Sequence, residues 1–290
     1  MSTNETAGDE IDAAKLEKIL SGVRIPPQPK LLLELKEEAA KPNPSINKIC
    51  GLISKDVSLS AAVLKTINSP FYGLSRKCES IQRATVILGL RNVSNLVRAL
   101  SLQGSFASKK VSLERFWDTA ADVANICVAI ANRLKMENPD DYYALGLFHD
   151  CGIAVMAQKF NDYKDTLKTG NALVDRPITD AEDQAYNTNH AVVGYYLAKS
   201  WNLSEVICQV IHTHHDFERM FPETETVAGS NHMMAILKAA GNISHTSRRL
   251  SDDHEWIRIQ AQVLQHLSLD ETEYNDMRED IGELLQATAA

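Results

Sequence analysis

Apolar residues recur along most of this chain at intervals of three and four, the spacing that lines one face of a helix. Leu16, Ile19, Leu20 and Val23 form the first such stripe, and Ile25-Pro26-Pro27-Gln28-Pro29 ends it, since proline lacks the backbone donor a helix needs. Leu31, Leu32, Leu35 and Ala39 predict a second helix, stopped by Lys41-Pro42-Asn43-Pro44. Ser45 is placed to cap a helix carrying Ile46, Ile49, Leu52 and Ile53, and Ser58 to cap one carrying Leu59, Val63, Leu64 and Ile67. Asn68-Ser69-Pro70 halts the latter ahead of a Phe71-Tyr72-Gly73-Leu74 turn. Ser80 opens a helix that Gly89 closes, and Val93, Leu96, Val97 and Leu100 mark another. Beyond a break near residues 105–112, helices are expected over 116–131, 143–160, 190–201, 206–211, 233–243, 256–267 and 271–285. No segment alternates with period two between hairpin turns, so the fold class expected is all-α.

Composition narrows the class without changing it. The chain has 290 residues, 44% hydrophobic and 23% charged, which excludes a disordered or fibrous protein and leaves ample chain to bury a core. No uncharged apolar run approaches the roughly 20 residues of a membrane helix. The polar, acidic start Met1–Glu10 resembles neither a signal nor a transit peptide, so a cytoplasmic protein is expected, with residues 1–12 as a flexible tail. Five cysteines, widely spaced and without a CxxC pair, read as buried reduced thiols.

Charge divides the chain. Residues 1–110 carry 16 Lys and Arg against 10 Asp and Glu, whereas residues 111–290 carry 14 against 28. The asymmetry predicts two subdomains, residues 13–110 and residues 111–285, the second including a C-terminal helical extension. The basic half either faces an anionic partner or merely carries solvated helix faces of the other sign. No GxGxxG or GxxxxGK[ST] loop is present, which argues against the commonest nucleotide-binding enzymes.

Histidine is the informative residue type. Six of nine fall between residues 149 and 232, among them His149-Asp150, His190 and the His214-His215 pair. An adjacent imidazole and carboxylate can reach one metal when other helices supply the remaining ligands, because borderline cations accept mixed nitrogen and oxygen sets. The same residues can equally form a hydrogen-bonded core cluster in which Asp150 orients its neighbours.

Taken together, these motifs resemble the HD superfamily of metal-dependent phosphohydrolases. From about Ile25 to His215 the chain is more closely similar to the HDOD module, the HD-related output domain of bacterial signalling proteins. Ile25–Pro29, Asp56–Leu64, Asn68–Leu74, Ser80-Ile81 with Leu88–Leu90, Phe116-Trp117, Gly146–Gly152, His190–Trp201 and His214-His215 carry the resemblance in the family's order. It implies an N-terminal helical bundle packed on an HD-like helical subdomain, usually without hydrolase activity. HD phosphohydrolases place an early His, the HD pair and a late Asp on the metal, and many add histidines for a second ion. Here Asp118-Thr119-Ala120 stands where the early His belongs, no carboxylate stands near Gly241-Asn242, and Ile153 replaces a frequent Lys.

The reading that results is a non-enzymatic signalling module on a degenerate HD scaffold. It would bind a signalling protein, or a cyclic dinucleotide or other nucleotide, and no cofactor is expected; a divalent metal on a remnant site of His149, Asp150, His190, His214 and His215 is the alternative to a hydrogen-bonded cluster there. Asn68, Ser69, Phe71, Tyr72, Arg76 and Lys77 are the candidate interaction surface, although Asn-Ser-Pro is also an effective helix stop. Two alternatives stand beside this reading. One is a metal-dependent phosphodiesterase with an atypical ligand set. The other is a DNA-binding regulator using the 46–64 helix pair with Lys65, Arg76, Lys77, Arg83, Arg91 and Arg98 on phosphates. The second helix of that pair has few long polar side chains for base edges, which argues against DNA.

Overall fold

The computed structural model describes residues 29–105, 113–217, 219–249 and 253–289. The expected tail, the first apolar stripe and most of the Ile25–Pro29 connector lie outside them. Among the described residues the fold is all-α.

Among the described residues five helices make the N-terminal group: α1 (Lys30–Ala39), α2 (Ile46–Ser54), α3 (Val57–Ile67), α4 (Ile81–Leu88) and α5 (Leu90–Ser105). Their starts follow capping chemistry. Ser45 accepts from the Lys48 amide at 3.3 Å and Ser80 from the Arg83 amide at 3.1 Å. For α3 the cap is Asp56, which accepts from the Leu59 amide at 2.9 Å, rather than the expected Ser58. The charged acceptor two residues earlier takes the orphan amide and draws Val57 and Ser58 into the helix. Between α3 and α4 a 3-10 turn, Pro70–Tyr72, ends at Gly73, whose φ of 59° suits a residue without Cβ.

Ten helices follow: α6 (Glu114–Arg133), α7 (Pro139–Phe148), α8 (Cys151–Lys159), α9 (Tyr163–Asn171), α10 (Thr179–Tyr186), α11 (His190–Ser200), α12 (Glu205–Thr213), α13 (Ser230–Arg249), α14 (His254–Leu267) and α15 (Glu271–Ala289). Helix α7 lies against α5, α6 and α13, α8 against α11, and α11 against α12. The buried apolar residues form one continuous core running through both groups. All five cysteines are buried and free in it. No helix among the described residues is long and apolar enough to cross a membrane.

Specific polar contacts join the two groups. Tyr72 Oη donates to Asp140 Oδ1 at 3.1 Å, and Asn95 Nδ2 donates to Asp141 Oδ1 at 2.5 Å, both at the first turn of α7. Past the end of α11, Lys36 Nζ donates to Asn202 Oδ1 at 2.9 Å and Arg98 to the Asn202 carbonyl at 3.2 Å. Helix α7 therefore meets the N-terminal group at one end and presents His149 and Asp150 at the other.

Candidate metal centre

The expected single helix over 143–160 is two. His149 and Asp150 occupy the joint between α7 and α8, where Asp150 leaves helical geometry with φ −102° and ψ 12°. Two glycines let neighbouring backbones close on this joint. A Cβ on Gly146 would lie 2.5 Å from Ala124 Cα in α6, and one on Gly152 would lie 2.0 Å from the His190 carbonyl oxygen in α11. Asn189 caps α11 by accepting from the Val192 amide at 3.0 Å, which fixes His190 as its first residue. His214 and His215 follow the last residue of α12. The site is thus assembled from the ends of four helices.

Four ligand-type atoms, one each from Asp150, His190, His214 and His215, lie within 4.8 Å of one another. Four ligands at 2.0–2.1 Å from one ion span edges of about 3.4 Å, so the cluster is near the size of a metal shell. Asp150 Oδ1 faces His214 Nε2 at 3.2 Å and His190 Nε2 at 3.4 Å, while its Oδ2 faces His149 Nε2 at 3.2 Å. His149 therefore sits on the other side of the carboxylate from the four converging atoms.

The far side of each ring decides what the near side can do. His149 Nδ1 lies 2.7 Å from the Gly146 carbonyl and His214 Nδ1 lies 2.7 Å from the Ile211 carbonyl. A carbonyl only accepts, so these nitrogens carry the hydrogen. His190 Nδ1 lies 2.7 Å from Glu182 Oε2, again an acceptor. A neutral ring held this way turns a lone pair from Nε2 onto the Asp150 carboxylate, itself lone-pair bearing. His190 Nε2 is buried and has no hydrogen-bond partner. Acceptor atoms converging on a common point, one of them orphaned, fit a cation, and outer-shell acceptors on Nδ1 are the usual companions of metal-ligating histidines. The three-nitrogen, one-oxygen set suits a borderline transition metal such as zinc, iron, cobalt, nickel or manganese better than magnesium or calcium.

Charge supports the same fit. Burial alone would raise the carboxyls of Asp150, Glu182 and Glu255, but His149, His190 and Lys238 respectively hold them below their ordinary range. Burial, reinforced by His215, keeps the His214 ring uncharged at neutral pH, and burial lowers His215 as well. For His190 the two flanking carboxylates, Glu182 foremost, overcome burial and raise its pKa to about 10, so without a cation this ring carries a proton on Nε2 toward Asp150, and a metal binds there by displacing it. Three carboxylates face one ammonium, that of Lys238, whose Nζ is 2.7 Å from Glu255 Oε1. Once a cation displaces the His190 proton, two negative charges remain, which one dication balances. Access remains open, because Asp150 keeps 26% of its side chain exposed.

Where the HD superfamily places its early His, Asp118 and Thr119 are exposed and Ala120 is a buried methyl. On α13, Gly241 has no side chain, and Asn242 is spent elsewhere: its Nδ2 donates to Asp253 at 3.3 Å and its Oδ1 accepts from Tyr274 at 2.7 Å. Lys238, one turn earlier, brings a positive charge to His214 and His215.

The scan against protein families matches the HDOD domain over residues 25–217. The chain belongs to the HDOD family. A Treponema pallidum protein of uncharacterised function is 27% identical over 251 residues, covering 83% of this chain; the match spans 49% of that relative's length. An HDOD domain protein of unknown function from Geobacter sulfurreducens is 25% identical, with a TM-score of 0.64 over 92% of this chain and 96% of that one. A Shewanella amazonensis SB2B protein provisionally named a phosphohydrolase shares the fold at 22% identity and a TM-score of 0.68, over 94% of each chain.

The HDOD chain uses several expected surface residues internally. Asn68 Oδ1 accepts from the Cys78 amide at 2.7 Å, and its Nδ2 donates to the Cys78 and Leu64 carbonyls at 2.7 and 2.8 Å. Phe71 is core, 4% exposed, which corrects its place on a surface: its ring packs under the 3-10 turn, with the apolar residues of the core. Tyr72 is turned to Asp140, and the Ser69 hydroxyl is buried, whereas Arg76 and Lys77 are exposed. Arg98, a candidate phosphate contact, is engaged with Asn202. Sequence reasoning missed α9, α10 and four residues around the cluster: Tyr163, Glu182, Lys238 and Glu255.

Proposed function

We propose that this HDOD chain is a signal-transduction module that acts by binding a partner protein, and that its HD-like half holds one divalent transition metal as a structural element without hydrolytic turnover. The family resemblance to output domains of signalling proteins supports the first part. The carrying observation for the second is that Asp150 is the single carboxylate among the converging atoms, while α13 offers Lys238 and no acidic ligand. Metal-assisted hydrolysis needs an ion with open positions that polarises a phosphoryl oxygen and lowers the pKa of bound water. Asp150, His190, His214 and His215 would hold such an ion, and when bound it would supply Lewis acidity. Among the described residues, however, no second carboxylate converges with Asp150 to orient a nucleophile, since Glu182 is held by His190 and Glu255 by Lys238. A nucleotide signal is the second reading for the partner: Asp150 is 26% exposed, so a cation held there would be open to a phosphate.

The test measures metal content after chelator-free purification, together with hydrolysis of a cyclic dinucleotide and of a generic phosphodiester. About one equivalent of transition metal and no turnover is expected. Turnover that is abolished in Asp150→Ala overturns the non-enzymatic reading, and a protein that takes up no metal overturns the metal assignment.

A further inference from the structure

We infer that Glu182 is a positioning residue for the cation: through His190 it sets metal affinity, and with Tyr163 it ties the α9–α10 hairpin to the metal site. The inference rests on the metal reading above and extends it to residues that do not touch the ion. Glu182 is fully buried in the middle of an eight-residue polar helix. Its two oxygens are divided between two tasks. Oε2 accepts from both His190 Nδ1, at 2.7 Å, and the His190 backbone amide, at 3.1 Å. Oε1 accepts from the Tyr163 hydroxyl of α9.

A carboxylate that grips one residue through both ring and backbone leaves that ring no rotation about its side-chain bonds. It fixes the hydrogen on Nδ1 and so aims the orphaned Nε2 at the cluster. Such second partners orient ligands and raise their basicity, and their loss weakens metal affinity roughly 10- to 100-fold.

The same carboxylate reaches outward. Helices α9 and α10 pack chiefly on each other and touch the rest of the fold at α8 and α11. The polar line Tyr163–Glu182–His190 is one buried part of that attachment, beside the apolar packing of Tyr163, Leu167 and Tyr186. Any cation that holds His190 Nε2 therefore also stabilises the docked hairpin, and by reciprocity a docked hairpin favours the cation. Occupancy is thereby expressed on a surface element away from the site.

The experiment uses the full chain and Co(II), whose visible spectrum reports ligand geometry. Wild type, Glu182→Gln and Tyr163→Phe are titrated, and amide exchange across residues 163–186 is followed with and without Co(II). Glu182→Gln is expected to bind about 10- to 100-fold more weakly with an altered spectrum, and to lose the Co(II)-dependent protection of the hairpin. Tyr163→Phe leaves the carboxylate in place and is expected to lose most of that protection with a smaller change in affinity, so it serves should Glu182→Gln fail to fold. Wild-type affinity and spectrum in a folded Glu182→Gln, or Co(II)-dependent protection that survives in Tyr163→Phe, overturns this inference alone. No Co(II) binding by wild type overturns the metal reading and this inference with it.

Discussion

Replacing Gly152 by alanine adds one methyl where the fold has no room for it. The new Cβ would stand 2.0 Å from the His190 carbonyl oxygen and 2.8 Å from the Gly194 amide nitrogen, both backbone atoms of α11. Ordinary contact for such atoms begins at about 3.4 Å, so α8 and α11 must part by more than an ångström over the first turn of each. A rotamer change cannot relieve a clash with backbone. Overpacking of this kind costs roughly 1–3 kcal/mol, with the upper end expected for a rigid helix pair. Alanine's better helix propensity returns at most about 1 kcal/mol. The net expectation is a loss of about 2 kcal/mol, which in a chain of 290 residues lowers Tm by about 3 °C.

The same displacement carries His190 away from Asp150, so Co(II) affinity is expected to fall along with Tm. Gly51→Ala is the matched control. It lies in α2, where an added Cβ meets nothing within 4 Å, and is expected to be neutral or stabilising by up to about 1 kcal/mol. Scanning calorimetry with and without Co(II) reads both quantities. A Gly152→Ala protein that melts with wild type and binds Co(II) equally well would refute the close approach of the two helices at the HD joint.

Two further perturbations test the join between the helix groups and the turn that shapes it. Burial raises the Asp140 carboxyl to about 6 against the Tyr72 hydroxyl. A folded-state pKa above the unfolded value means that the native chain holds the proton more tightly, so this group's contribution is fully present below about pH 4 and is lost as pH rises to about 6, up to about 3 kcal/mol. Asp140→Asn keeps an acceptor for Tyr72 and should flatten that part of the urea-midpoint profile between pH 4 and 7; an unchanged slope counts against the assignment. Asn68→Ala removes three hydrogen bonds, two to the Cys78 backbone and one to the Leu64 carbonyl, and should cost roughly 2–3 kcal/mol by urea denaturation, with under 0.5 kcal/mol showing the lock to be idle.

Much of this architecture was legible because local chemistry wrote it. Prolines and capping residues placed the ends of α1, α2 and α4, and the HD and HH dipeptides announced themselves without any knowledge of topology. The break between α7 and α8 was not legible. Leu145, Leu147, Phe148, Cys151, Ala154 and Val155 are all buried, so the apolar pattern runs straight through the joint and periodicity has nothing to interrupt it. What separates the helices is the approach of α6 and α11 to Gly146 and Gly152, a tertiary event. Helices α9 and α10 escaped for the opposite reason: they are short and polar, with too few apolar positions to draw a stripe. Within α10 the sequence offers three acids, Asp180, Glu182 and Asp183, and only the path of α11 determines that Glu182 is the buried one.

The absent late carboxylate is likewise more than one missing residue. There is open space at Gly241 for a side chain, so sterics do not exclude an acid there. Lys238 lies one helical turn away on the same face of α13, already within reach of Glu255 and close enough to His214 and His215 to depress their basicity. An acid at Gly241 would meet that ammonium as well as any ion. Asn242 meanwhile has become a bridge from Asp253 to Tyr274, joining α13 to α15 and to the cap of α14. The α13 side is engaged in packing and internal ion pairing, while Asp150, His190, His214 and His215 converge on one another. On the proposed metal reading, the buried carboxylate of Glu182 on the back of His190 serves to aim that ring at the cation that joins the four helix ends.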